Sequence, residues 1–251
     1  MIPKLIHYCW LSGDPIPDNL QIYMRSWKEK LPDYKFILWN FDRFDKASSK
    51  WVAQAFDNKK YAFAADYIRL YAVYHFGGFY LDMDIEVLKS FDDLLHNPLV
   101  LAYEDDTSAG IEAGVFGAEK HHPIIKDCLD YYNGRNFIKE DGTFETMVLP
   151  KIMLKYCKNV PDIKDWLFFT CKSHRTRVIT HNNKSYTIHH FAGSWCSKEH
   201  QQRCKFAEET IAKIGKNLLS SFIIKLYNLY SHIQEKGIRN TISFYRKKES
   251  S

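Results

Sequence analysis

Phe79-Tyr80-Leu81-Asp82-Met83-Asp84-Ile85-Glu86-Val87 alternates strictly between apolar and polar side chains. Period-two alternation predicts an extended strand over 79–87, with Phe79, Leu81, Met83, Ile85 and Val87 facing a core. Tyr80, Asp82, Asp84 and Glu86 share the opposite side. Carboxylates that close repel one another unless a cation sits among them, so an Asp-x-Asp pair at a strand end is a fit seat for a divalent metal holding phosphate. Gly77-Gly78 precede the strand and permit a sharp turn into it.

Working outward, Tyr61 to Phe76 (YAFAADYIRLYAVYHF) reads as a buried helix, apolar almost all round and ending at Gly77. Its two charged residues, Asp66 and Arg69, are three apart and share a face. Further upstream, Lys4–Trp10 reads as a strand, Asn19–Lys30 as a helix and Tyr34–Trp39 as a second strand, the order of a parallel α/β unit. Downstream, strands are expected at Leu99–Tyr103, Gly114–Ala118 and Tyr186–Phe191. Helices are expected from Pro123 to about Tyr132 and from Met147 to Tyr156. The expected organisation is a catalytic domain over 1–200 and a helical extension over 201–251.

The chain has 251 residues, a net charge of +5 and 16% aromatic side chains. So mild a positive excess favours phosphates or acidic lipid head groups and does not call for nucleic acid. The six cysteines form no C-x-x-C pair and no compact disulfide framework, so free thiols in a reducing cytoplasm are expected. There is no signal-peptide pattern and no run of apolar residues long enough to span a bilayer. Ile211, Ile214, Leu218, Phe222, Leu226, Leu229 or Tyr230, and Ile233 recur at helical spacing among lysines and arginines. This basic amphipathic pattern fits peripheral contact with the inner face of a membrane.

Three blocks carry a resemblance. Ala65–Val87 (ADYIRLYAVYHFGGFYLDMDIEV), the opening IPKLIHYCW and the late HHFAGSW, in that family's order, resemble family 32 glycosyltransferases. That family includes initiating mannosyltransferases and enzymes of capsule and lipopolysaccharide synthesis. The resemblance implies an α/β GT-A fold, a nucleotide-sugar donor, Mn²⁺ or Mg²⁺, retention of anomeric configuration, and a glycan or lipid-linked acceptor. By position, Asp84 is the implied direct metal ligand and Asp82 the contact to ribose, sugar or a metal-bound water. Asp66 and Arg69 are implied to hold the donor sugar. Trp10 would stack on the base, most simply a uracil, and Tyr80 would lie beside the nucleotide. His190 matches the His-x-x-Gly element that supplies a third metal contact in related enzymes. Gly193, Ser194 and Trp195 would meet the diphosphate. Because neighbouring strand residues point apart, only one of His189 and His190 should face the site.

A second acidic set, Glu104, Asp105, Asp106 and Glu112, reads as a solvated loop on the acceptor side. The alternatives from the residues alone are a metal-dependent phosphohydrolase, which needs more ligands than the chain offers, and a non-catalytic carbohydrate-binding protein, which leaves the acidic strand face unexplained.

Overall fold

The computed structural model describes residues 1–173, 177–193, 198–215 and 217–237. The chain divides into two compact units, Met1–Lys172 with Thr180–Phe191, and Ser173–Ile179 with Ala192–Ser251.

In the first unit, β1 (Leu5–Cys9), α1 (Asp18–Lys30) and β2 (Lys35–Trp39) form the expected parallel unit. After α2 (Lys50–Asp57), α3 spans Tyr61–Phe76 and leads directly into β3 (Gly78–Leu81), which lies parallel to β1 on its other side. A β-carbon on Gly78 would lie 2.6 Å from the Leu5 carbonyl oxygen, and its φ is +105°, so glycine is what lets β3 begin so close to β1. Short strands β4 (Ile85–Val87), β5 (Leu99–Val100) and β6 (Val115–Ala118) follow, then α4 (Pro123–Asp130), α5 (Leu149–Tyr156) and β7 (Thr187–His189). The main sheet runs β2-β1-β3-β6-β5, with β6 antiparallel to β3 and β5. β4 and β7 make a separate antiparallel pair. This is the expected α/β class of fold, with helices covering both faces of a mixed sheet and a helical C-terminal region.

The pleat of β3 sorts its side chains into two cores. Phe79 and Leu81 pack in the layer that holds Leu20 and Trp27 of α1. Tyr80 packs in the other, with Ala64, Ile68 and Val73 of α3. A β-carbon on Gly117 would sit 2.4 Å from the Phe79 ring, so β6 gives way to the ring that β3 presents across the ladder. Helix α3 is buried as expected. Its Ile68, Leu70 and Val73 are fully covered, at about 1.5–3 kcal/mol of transfer free energy for each such side chain.

The expected single strand over 79–87 is corrected. Pairing with β6 ends at Leu81, the Asp82 amide donates to the Gly114 carbonyl (2.8 Å), and the Ile85 amide then turns back to the Asp82 carbonyl (3.1 Å). The chain turns at Asp82-Met83-Asp84 and re-emerges as β4. Met83, Ile85 and Val87 nevertheless stay in the same core as Phe79 and Leu81, which is why the alternation in sequence survives the break.

In the second unit, α6 (Lys198–Ile214) and α7 (Leu218–Lys236) form a helical hairpin. Asn217 and Ser220 cap α7 reciprocally. Phe206 stacks on Tyr227 at 3.8 Å, and Arg203 reaches Ser231 and Glu235, both at 3.0 Å. Leu218, Leu219, Phe222, Leu226, Leu229 and Tyr230 are exposed along α7. No helix among the described residues is long and apolar enough to cross a membrane.

Candidate active site

The turn after β3 stands at the C-terminal edge of the parallel strands, where backbone ladders end and side chains are free to converge. Arg69 organises it from α3. It is 6% exposed, and its guanidinium lies 3.4 Å from Asp66 Oδ1 and 3.2 Å from Asp82 Oδ2, while Nη1 donates to the Ala113 carbonyl at 2.7 Å. The expected Asp66–Arg69 face is therefore present, and it reaches further, to Asp82. Burial pushes the Asp66 carboxyl up to about 6 against the pull of Arg69.

Tyr80 departs from its implied place beside a nucleotide. It is 1% exposed, its hydroxyl donates to Asp82 Oδ1 at 2.8 Å, and Arg69 covers its ring at 4.7 Å. Strand alternation turns this ring into the α3 core, and its hydroxyl orients the acid two residues on. Burial, reinforced by Asp82, keeps the phenol protonated. Cys9, at the end of β1, is buried in the same neighbourhood with its thiol pushed up to about 12 by desolvation.

Asp82, Asp84 and His189 each offer a ligand atom, and these atoms lie within 4.8 Å of one another. Two carboxylate oxygens and an imidazole nitrogen suit Mn²⁺ and related divalent ions, so the residues fit the implied metal. The histidine, however, is His189 and not His190. Antiparallel pairing sets His189 opposite Ile85, next to Asp84, and His189 Nε2 lies 3.4 Å from Asp84 Oδ1. The next residue must face away. His190 Nε2 meets Glu86 Oε2 at 2.8 Å, and its ring stacks on Tyr23 at 4.3 Å. Desolvation lowers the His190 pKa even with Glu86 beside it.

Glu112 is the residue whose place differs most from expectation. It is 1% exposed, not part of a solvated loop. His189 Nδ1 lies 3.1 Å from each of its oxygens, Thr170 Oγ1 donates at 2.7 Å and the Gly114 amide at 2.7 Å. Burial alone would raise this carboxyl, but the His189 ring and these donors hold it below its usual value. Burial works against charge on His189 too, and Glu112 and Asp84 overcome it, raising its pKa well above the ordinary one. A β-carbon on Gly114 would meet His189 Cε1 at 2.8 Å, Glu112 Oε1 at 2.9 Å and Asp82 Oδ2 at 3.1 Å. The only sequence signal for Glu112 and Gly114 is their place just ahead of a short apolar strand.

The other expected residues are dispersed. Trp10 follows β1, partly exposed, with Nε1 donating to the Asp14 carbonyl at 2.6 Å. Asp105 accepts from the Thr107 amide and hydroxyl, a local turn. Gly193 has φ +61° and belongs to the second unit. Ser194 and Trp195 lie outside the described residues. The five described cysteines, Cys9, Cys128, Cys157, Cys171 and Cys204, are free thiols.

Residues 17–101 match the model of a glycosyltransferase sugar-binding region containing a DXD motif. Inositol phosphoceramide mannosyltransferase 3 of Schizosaccharomyces pombe is 33% identical over 129 residues, 49% of this chain and 35% of that protein. Mannosyl phosphorylinositol ceramide synthase SUR1 of Saccharomyces cerevisiae is 32% identical over 133 residues, 51% of this chain and 34% of that protein. The chain thus spans about a third of the length of these curated relatives. Among solved structures, PaToxG glycosyltransferase is similar with a TM-score of 0.49 and 19% identity, covering 64% of this chain and 69% of that one. The acid pair seated on the turn after β3 lies inside the matched region, so what residues 17–101 share with glycosyltransferases is the sugar-binding region containing a DXD motif.

Proposed function

We propose that this protein moves a hexose from a nucleotide-sugar to a lipid-linked or glycan acceptor, with a divalent cation held by Asp82, Asp84 and His189. The observation that carries this reading is the convergence of those three ligand atoms within 4.8 Å, beside the Asp66–Arg69 pair. A cation there would neutralise charge on a departing nucleoside diphosphate, a contribution of several kcal/mol. The chain's own residues supply the frame. Arg69 has its guanidinium spread between Asp66 and Asp82, so the acid that would meet the metal and the acid that would meet the sugar are set by one side chain. Tyr80 fixes the Asp82 oxygen that Arg69 does not. A burial-raised Asp66 holds its proton more readily than an ordinary acid, which suits hydrogen bonding to sugar hydroxyls.

Because the relatives are named as mannosyltransferases acting on inositol phosphoceramide, mannose is the first sugar to test and an inositol-phosphate glycolipid the first acceptor. A role in building capsule or lipopolysaccharide remains a further proposal of the same reading, as does retention of anomeric configuration. The test is incubation with UDP- and GDP-sugars and Mn²⁺. Release of nucleoside diphosphate from one donor supports the reading. Inorganic phosphate as the sole product points to a phosphohydrolase, and no release from any donor removes the enzyme reading.

The second unit supports a place of action at the inner face of the cytoplasmic membrane. From Lys213 to Lys248 the sequence holds eight Lys and Arg against one acid, Glu235, and α7 exposes Phe222 and Leu226 on one stripe. Apolar side chains flanked by lysines match anionic lipid. Flotation with phosphatidylglycerol vesicles should lose the protein on Phe222→Glu with Leu226→Glu. Equal flotation of the variant, or no flotation of the native chain, discards the membrane contact.

A further inference from the structure

We infer that Glu112 is a positioning residue that sets the tautomer and the aim of the His189 ring, so that Nε2 is presented as a metal ligand between Asp82 and Asp84. The inference rests on the metal-dependent reading above and assigns a role to a residue outside the DXD region.

The argument starts from the number of donors that meet one buried carboxylate. A carboxyl group sealed from water is unfavourable unless its lone pairs are occupied. Glu112 Oε1 accepts from the Gly114 amide and Oε2 from the Thr170 hydroxyl, which fixes the plane of the carboxylate before His189 is considered. His189 Nδ1 then stands 3.1 Å from both oxygens, centred on the carboxylate fork. Facing only acceptor atoms, Nδ1 carries the hydrogen and donates it. The remaining ring nitrogen, Nε2, points the opposite way, to Asp84. Histidines that ligate metals are commonly held like this, with the far nitrogen bonded to a carboxylate that fixes the tautomer and strengthens the ligand.

Two further contacts show that the arrangement locates the ring and does more than neutralise a charge. Thr170 binds both partners, because its carbonyl accepts the His189 amide at 2.9 Å while its hydroxyl binds Glu112. The main chain of the histidine and the carboxylate that aims it therefore share one anchor. The ring's faces are also limited, by Phe191 stacked at 4.0 Å on one side and by Gly114, which leaves no room for a β-carbon, at its Cε1 edge.

Glu112→Gln tests the inference. A glutamine offers one carbonyl oxygen to three donors, so the hold on Nδ1 is weakened at nearly constant volume. Binding of Mn²⁺ alone, measured by water-proton relaxation on the full chain, should weaken 10- to 100-fold, while far-UV circular dichroism is unchanged. A folded variant that binds Mn²⁺ within threefold of the native protein overturns the inference. If the variant fails to fold, the native protein decides. Long-range proton–nitrogen spectra should show His189 protonated on Nδ1, with the Nε2 resonance shifting when Zn²⁺ is added. An Nδ1 without hydrogen, or an unmoved Nε2, overturns it equally. A native protein that shows the metal-shifted Nε2 but releases no nucleoside diphosphate from any donor would refute the glycosyltransferase reading and leave this one standing.

Discussion

Arg69 Nη1 lies 3.2 Å from Asp82 Oδ2, joining the middle of helix α3 to the acidic turn that follows β3. The same guanidinium serves Asp66, Ala113 and the Tyr80 ring. Removing it leaves two poorly hydrated carboxylates facing one another. Arg69→Ala is expected to destabilise the fold by about 3–5 kcal/mol, the range for breaking a buried charged network at one partner. Arg69→Lys should recover part of the stability but not turnover, because an ammonium cannot span both acids in one plane. Urea unfolding and donor-hydrolysis rates on the two variants check this. Equal activity of Arg69→Lys and the native chain would sink it.

Gly114→Ala introduces a single methyl where three site residues already crowd. With His189 Cε1 2.8 Å and Glu112 Oε1 2.9 Å from the added carbon, something must move. The expected cost is about 1–3 kcal/mol, as for other overpacked sites. Mn²⁺ affinity should fall with it, at least tenfold. A thermal melt and a metal titration on the same preparation separate the two effects.

The adjacent histidines give opposite expectations. His189→Ala removes a group whose Nε2 stands among the aspartates and should weaken Mn²⁺ binding by more than tenfold. His190→Ala removes a ring held by Glu86 and Tyr23 and should leave Mn²⁺ affinity within about threefold. The reverse order in a paired titration would restore His190 to the metal.

His7 carries a pH signature distinct from the site. It is fully buried, Trp39 Nε1 donates to its Nδ1 at 3.1 Å, and Nε2 faces the Gly77 carbonyl at 2.8 Å. Desolvation lowers its pKa from 6.5 to about 4, partly opposed by the Gly77 bond. Between those values the unfolded chain binds more protons than the folded one, so stability falls as pH drops through 6.5 towards 4. From pH 7.5 to 5 the loss is about 2 kcal/mol. Asp66, raised to about 6 by burial, works the other way as pH falls from 6. The measurement is therefore the difference between native protein and His7→Gln, which should shrink by about 2 kcal/mol over that span. A pH-independent difference contradicts a neutral His7.

The helix Tyr61–Phe76 and strand β1 are legible because their patterns are local. So is the pairing of Asp66 with Arg69, since a three-residue step on a helix fixes it. The break at Asp82–Asp84 is not legible, because Met83, Ile85 and Val87 return to the same core and keep the alternation intact. Nor can a sequence tell His189 from His190, since the choice follows from the register in which β7 meets β4. Glu112 is hidden for a related reason. Its burial depends on Thr170 and His189, which lie 58 and 77 residues away along the chain, and a carboxylate among acidic neighbours otherwise reads as hydrated.

The pairing of β4 with β7 joins residues a hundred or more positions apart. On a chain growing from its N-terminus, the two aspartates emerge long before the imidazole that completes their set. Contacts of such long range form late, after the entropy of closing the intervening loop has been met. The acid pair thus waits unassembled while about a hundred further residues are made, and any product that stops between residues 84 and 187 keeps both aspartates while lacking the strand that gives them a third ligand.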